Sequence, residues 1–232
     1  HANSDAQRAA SNRVYDAVAF NDLVNKLWRA ANVDINQLSI AAGHPDVKER
    51  LGIVKGRLAQ LRQQSCEDLR DKIIADTRSS LLAGHFTAAS LQFESLPEDF
   101  VANDLRARGY AEQARVLKNA HDRFKTYLHE SIDQEVSLTA NDGSKLVGAI
   151  TVVDNANYQI HYLGQAHIPF QLLDLDAAGV FKLVGSDSNF EWAQFLYLQG
   201  RLAQARKKMG LFAADQPKKA RWWLREWRLS PK

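Results

Sequence analysis

One cysteine, Cys66, is all the thiol this chain has, which excludes a disulfide within one copy and any cysteine-based zinc site, since each needs at least two thiols. That scarcity fits a reducing compartment and favours a cytoplasmic setting. No stretch approaches the ~18 uncharged apolar residues that a membrane-spanning helix needs, and no charged-then-apolar leader with a small-residue cleavage site opens the chain. The first residue is His1 and the single methionine is Met209, which fits an excised or processed piece of a longer protein. The phosphate loops GxxxxGK[ST] and GxGxxG are absent, as are the GxSxG nucleophile elbow and the HExxH metal pair. The sequence therefore points to no cofactor and to a protein that is not an enzyme.

What is present is ordinary for a soluble globular protein. Of 232 residues, 45% are hydrophobic and 25% charged, enough apolar material for one large or two small domains and too much for general disorder. The net charge of +3 is unevenly placed. Between Gly200 and Lys232 ten Lys or Arg face only Asp215 and Glu226, a local excess of +8, and the remainder of the chain carries −5. An anionic partner is to be sought at the C-terminal end.

Along the chain the apolar period is mostly helical. Val14, Val18, Leu23, Leu27 and Trp28 recur at three-to-four spacing from Ser4 to about Asn32, and Asp34 can cap a short helix that stops at Gly43. Pro45 then fits the first turn of a new helix, with Asp46 favoured by its N-terminal dipole. Leu51, Val54, Leu58, Leu61, Leu69, Ile73, Ile74, Leu81 and Leu82 carry one stripe to about Ala83, either as one long helix or as two broken at Ser65 and Cys66. Two or three further helices follow, the first ended by Pro97, and Gly109 marks a bend or a close contact. At Gln134 the period drops to two: Val136, Leu138, Leu146, Ile150 and Val152 share a face, with Tyr158, Ile160 and Tyr162 resuming the alternation. Turns are expected at 141–143, 154–157 and 164–165. Helical character returns from Gln171 and continues to a terminal helix that begins at Pro217.

Ala193, Leu196, Gly200, Leu202, Ala205, Met209, Phe212 and Pro217 follow one another at the spacing of small and large positions in two packed helices and their turn. This stretch resembles a tetratricopeptide repeat. Gly84, Phe86, Ala89 and Phe93 echo the pattern, although Pro97 comes early and Thr77 replaces a small residue; Gly109 with Ala114 is a fainter echo. The resemblance implies antiparallel helical hairpins and a peptide or protein partner on a concave face. Val136, Leu138, Gly143, Leu146, Gly148, Ile150, Val153, Asp154, Asn157, Tyr158 and Ile160 are similar to the first half of an Sm-like small β-barrel. In that family the Asp and Asn of the turn help to hold a base. Here the turn is one residue short and Leu163 stands where a basic residue precedes glycine; from Gln134 to Phe170 only Lys145 is basic, against Glu135, Asp142 and Asp154, so a phosphate backbone would meet net negative charge.

These readings combine into an α+β, mainly α, fold: tetratricopeptide-like antiparallel hairpins interrupted by a small antiparallel β-barrel. The expected division is a helical region over 1–133, a barrel insertion over 134–170, and a hairpin with a basic terminal helix over 171–232 that packs back on the helical scaffold. Cys66, followed by acids, is read as a buried or half-buried helix residue. His129 with Asp133, or His161 with His167 across a hairpin, have metal-ligand spacing but no placeable third ligand, so no metal site is assigned. The candidate site for an anionic partner is Lys218, Lys219, Arg221, Arg225, Arg228 and Trp222, because cations beside tryptophans suit anionic membranes and nucleic acid alike. Against this stands the reading that Trp223, Trp227, Ala220 and Leu224 form a stripe capping the preceding hairpin. The expected function is a non-catalytic protein-interaction or scaffold module within a larger protein; the alternative is nucleic-acid or anionic-surface binding through the terminal helix.

Overall fold

Residues 18–26, 28–29, 45–153, 158–162 and 166–229 are described in the computed structural model. They form a mainly helical molecule with one small antiparallel sheet. Helices α1 (Pro45–Leu82), α2 (Phe86–Leu91), α3 (Glu98–Asn103) and α4 (Leu105–Glu130) precede strands β1 (Glu135–Thr139), β2 (Lys145–Val153), β3 (Tyr158–Tyr162) and β4 (Ala166–Phe170). Helices α5 (Ala177–Leu183), α6 (Asn189–Leu198), α7 (Leu202–Phe212) and α8 (Pro217–Leu229) follow. The chain divides into two compact units, one of residues 1–76 and 92–108, the other of 77–91 and 109–232.

In the first unit, residues 18–26 and 28–29 are helical, and the short helix expected between Asp34 and Gly43 lies outside the described residues. Helix α1 begins at Pro45, where the missing N–H costs nothing, and runs unbroken for 38 residues. It passes Ser65 and Cys66 without a break because both side chains turn inward and find a partner: Ser65 Oγ lies 3.1 Å, and Cys66 Sγ 3.3 Å, from Asn21 Oδ1. Cys66 is fully buried, and that burial pushes its thiol pKa up, so it stays protonated and inert. Leu69, Ile73, Phe93, Leu96, Phe100 and Ala107 make up most of the core here. Around it Arg62 forks onto both oxygens of Asp99 at 2.7 and 2.8 Å, and Arg70 reaches Asp104 at 2.6 Å.

In the second unit the sheet order is β1-β2-β3-β4, all antiparallel. Val136, Leu138, Ile150, Tyr158 and Ile160 are buried on one face, as the period of two requires. That face meets α4: Tyr158 lies edge-on to Phe124 with centroids 5.8 Å apart and is 2.6 Å from His121 Nε2. Gly148 is needed in β2, because a Cβ there would collide with the backbone carbonyl of His161 on β3.

Two finer expectations are corrected. The sheet is open and no barrel forms. Closure would require β1 to pair with β4, but the outer edge at the C-terminal end of β1 meets the turn before α5, where Asp176 N–H donates to Thr139 O at 2.7 Å and, just beyond the strand, Asn141 N–H to Asp174 O at 2.8 Å. The core is a helix laid on a sheet, not a barrel interior. Of the Sm-like turn residues, Asp154 and Asn157 lie outside the described residues.

The tetratricopeptide-like arrangement is likewise not adopted. Ala193, Leu196, Ala205 and Met209 are buried between α6 and α7, and Gly200, at φ 74°, makes the turn that joins them. The unit does not repeat. The echo at Gly84 leads into α2, only six residues long, and then into a 3₁₀ turn at Gln92–Ser95. Gly109 and Ala114 lie inside α4, with no turn at Gly109. The small residues there serve other contacts: a Cβ at Gly109 would run into the Trp222 ring. Gly109 thus marks a close contact.

Candidate functional site

Helix α8 shows how its sequence divides labour. Ala220, Trp223 and Trp227 recur at i, i+3 and i+7 and are buried at 0%, 0% and 4% exposure. Trp227 stacks on Tyr197 with centroids 4.8 Å apart and an interplanar angle of 8°, and Trp223 meets Tyr110 edge-on at 5.3 Å. The capping stripe is real, and it uses part of the expected anion-binding set. Trp222 packs its edge against Tyr110 and lies over Gly109. Lys219 Nζ pairs with Glu112 at 2.5 Å and hangs 4.2 Å over the Phe190 ring. Lys218, Arg221 and Arg225 remain exposed on the outer face, Arg221 Nε donating to Pro217 O at 3.3 Å. The Arg228 side chain lies outside the described residues. Helix α8 therefore does not gather all six candidates on one surface.

A different feature is built by α5, α6 and α7. Between them runs a groove of about 480 Å³, with Trp192 as a wall, Leu196 and Leu211 as apolar lining, and Arg201, Lys207 and Lys208 supplying cations. Arg201, at the N-cap of α7, and Gln204, Lys208 and Leu211 within it line the groove; they recur every three to four positions on the side of the helix that flanks the buried Ala205 and Met209. Leu211 is 52% exposed and puts an apolar side chain on the groove's rim. The Trp192 ring is fixed from three directions: Phe181 stacks on it at 4.8 Å and 21°, Lys208 Nζ sits 3.8 Å from its centroid, and its Nε1–H donates to Ser186 O at 3.2 Å. Asp176, the one acid in the lining, is already engaged: it caps α5 by accepting from Gly179 N–H at 3.2 Å and pairs with Arg201 at 3.1 Å. A smaller cavity of about 380 Å³, lined by Lys182, Ser186 and Asp187, borders the same Trp192.

Buried polar groups beneath the groove hold α6 in place. Glu191, 6% exposed, receives Arg123 at 2.5 Å and the Ser186 hydroxyl at 2.6 Å, and Gln113 donates to Gln194 at 2.7 Å. Gln199 at the end of α6 donates to the carbonyls of Leu173 and Leu175 at 3.0 and 2.7 Å. These contacts tie α6 to α4, to the turn before it and to the segment that precedes α5.

His161 and His167 do meet across β3 and β4, with ring centroids 4.9 Å apart and Thr151 Oγ1 3.4 Å from His167 Nδ1. Among the described residues no three His, Cys, Asp or Glu side chains converge in a way that could hold a metal ion. Among the described residues, too, no helix is long and apolar enough to cross a membrane. The sequence pattern marks the inward face of α6 and α7, through Ala193, Leu196, Ala205 and Met209, and gives no comparable mark to Trp192, Lys207, Lys208 and Leu211. The one local signal for this side is Leu211, the single apolar residue in the three-to-four series 201, 204, 208 and 211. Comparison of this chain with models of protein families, with curated proteins and with solved structures finds no match.

Proposed function

We propose that this chain acts as a non-catalytic protein-interaction module that holds a partner in the Trp192 groove. The observation carrying this reading is a hollow of about 480 Å³ with a half-exposed leucine on its rim and, in its wall, an indole held by Phe181, Lys208 and the Ser186 carbonyl. Such a volume suits a few side chains of a partner, and an ordered lining lowers the entropy lost on binding. The membership of the module in a larger protein, and its docking of that protein's partners, belong to the same proposal.

A second reading, binding of nucleic acid or another anionic surface through α8, draws support from the exposure of Lys218, Arg221 and Arg225. It is weakened by the engagement of Lys219 with Glu112 and of Trp222 with Gly109, which leaves three described cations and no stacking ring on the outer face.

A photo-cross-linking amino acid placed at Ala178 or Leu211 in the groove, and at Lys218 or Arg225 on α8, separates the two in extracts of the native cells. Discrete protein adducts from the groove positions, suppressed by adding Gln204→Glu at the neighbouring turn, are expected. Adducts from the α8 positions alone, or adducts removed by nuclease, would overturn the groove reading.

A further inference from the structure

We infer that the occupant of the groove is an acidic peptide segment with one apolar anchor, its carboxylates meeting Lys207 and Lys208 and its anchor seated against Leu196 and Leu211. This rests on the groove being the binding surface and adds the chemistry of what binds there.

Charge complementarity is the first support. Helix α7, LAQARKKMGLF, contains no acid, and Asp176 is committed to Arg201 and to the α5 cap. The lining therefore presents two lysine ammoniums to an incoming group at contact range. A basic segment would be repelled from the same place.

The second support is the state of Trp192. A base needs an open ring face to stack on, but this indole is stacked by Phe181 and covered by Lys208. Nucleic acid would have to displace the lysine. A carboxylate can instead bond the Lys208 ammonium where it lies, leaving it over the ring and gaining a charge-assisted hydrogen bond.

The third support is Leu211. Its exposed side chain lies one helical turn beyond Lys207 and Lys208, so an acid and an apolar residue close together in a peptide meet a cation and a leucine at matching separation. A purely polyanionic ligand would leave that leucine in water. A purely apolar one would have to desolvate the lysines without pairing them.

Fluorescence anisotropy of the full chain with a fluorescein-labelled decapeptide of Glu and Asp around a central Leu-Phe pair tests the inference. Saturable binding is expected, at least tenfold weaker when Gly-Ser replaces Leu-Phe, since the apolar burial of the anchor is then lost. No binding is expected when Lys replaces the acids. Lys207→Glu, at an exposed position, and Leu211→Asp should each weaken the acidic peptide about tenfold or more, while Lys218→Glu with Arg221→Glu changes it less than threefold. Equal binding of the peptide without its anchor, equal loss on reversing the α8 cations, or displacement of the peptide by a second copy of the chain on self-association would each overturn it. If groove cross-links form while the acidic peptide fails to bind, the occupant's chemistry is wrong and the interaction surface stands; if both fail, the surface falls with it.

Discussion

At the scale of one residue, His121 shows how burial converts a side chain into a pH-dependent element of stability. It is 3% exposed, lies 2.6 Å from the Tyr158 hydroxyl through Nε2, and stacks on Phe86 with centroids 4.9 Å apart. Burial is the main influence and pushes its pKa below the ordinary 6.5, with Asp122 opposing and Lys125 and Lys118 adding to the shift. The folded protein thus holds His121 neutral at a pH where the unfolded chain already binds a proton. Stability is fully present above about 6.5 and falls as the pH drops through that value towards the lower folded pKa, by up to about 1.4 kcal/mol per pH unit from this group. The urea midpoint of wild type should fall on going from pH 7.5 to 5.5 by more than that of His121→Gln, which keeps a hydrogen-bonding group for Tyr158 and removes the titration. Parallel falls in the two proteins would show that other groups carry the dependence.

At the scale of elements, helix α8 and its seat on α4 show what the sequence made legible and what it hid. The start of α1 at Pro45, the change of period near Gln134 and the stripe of Ala220, Trp223 and Trp227 could all be read locally, because each depends on spacing within one element. The open sheet could not. What prevents closure is a hydrogen-bonded edge between Thr139 and Asp176, thirty-seven positions apart, and strand edges carry no mark of their distant partner. The tetratricopeptide pattern misled for a related reason: a small residue reports that something comes close without saying what. Gly109 has the spacing of a turn glycine but is helical, and its missing Cβ leaves room for the Trp222 ring. Gly109→Ala should therefore cost about 1–3 kcal/mol through overpacking, against a gain of about 0.5–1 kcal/mol for Gly56→Ala, which has open space within α1. Chemical denaturation of the two variants decides this. A stabilising Gly109→Ala would mean that Trp222 moves aside freely, which would return it to the set of residues available to a partner.

At the scale of the whole molecule, the uneven charge and the packing of α8 have to be separated, because a deletion changes both. Removing 217–232 takes away most of the exposed cations of the C-terminal end, and it also strips Trp223 and Trp227 from Tyr110, Phe190 and Tyr197. Losing one such buried ring by truncation to alanine costs about 3–5 kcal/mol, and a domain has only about 5–15 kcal/mol to lose. The shortened chain is expected to lose cooperative melting and to bind a dye for exposed apolar surface, so any loss of heparin or DNA binding in it would report unfolding. Three charge reversals at Lys218, Arg221 and Arg225 make the cleaner experiment. These side chains are exposed, each reversal removes two charges, and together they take the formal net charge from +3 to about −3. Surface changes of this kind alter stability by about 0.5 kcal/mol or less apiece, so the melting temperature should stay within a few degrees of wild type. If α8 is chiefly a cap on its neighbours, partner adducts at Ala178 and Leu211 survive the triple reversal and disappear with the deletion. Loss of those adducts in a folded triple variant would move the binding surface to the outer face of α8, and with it the identity of the partner from an acidic peptide to an extended anionic surface.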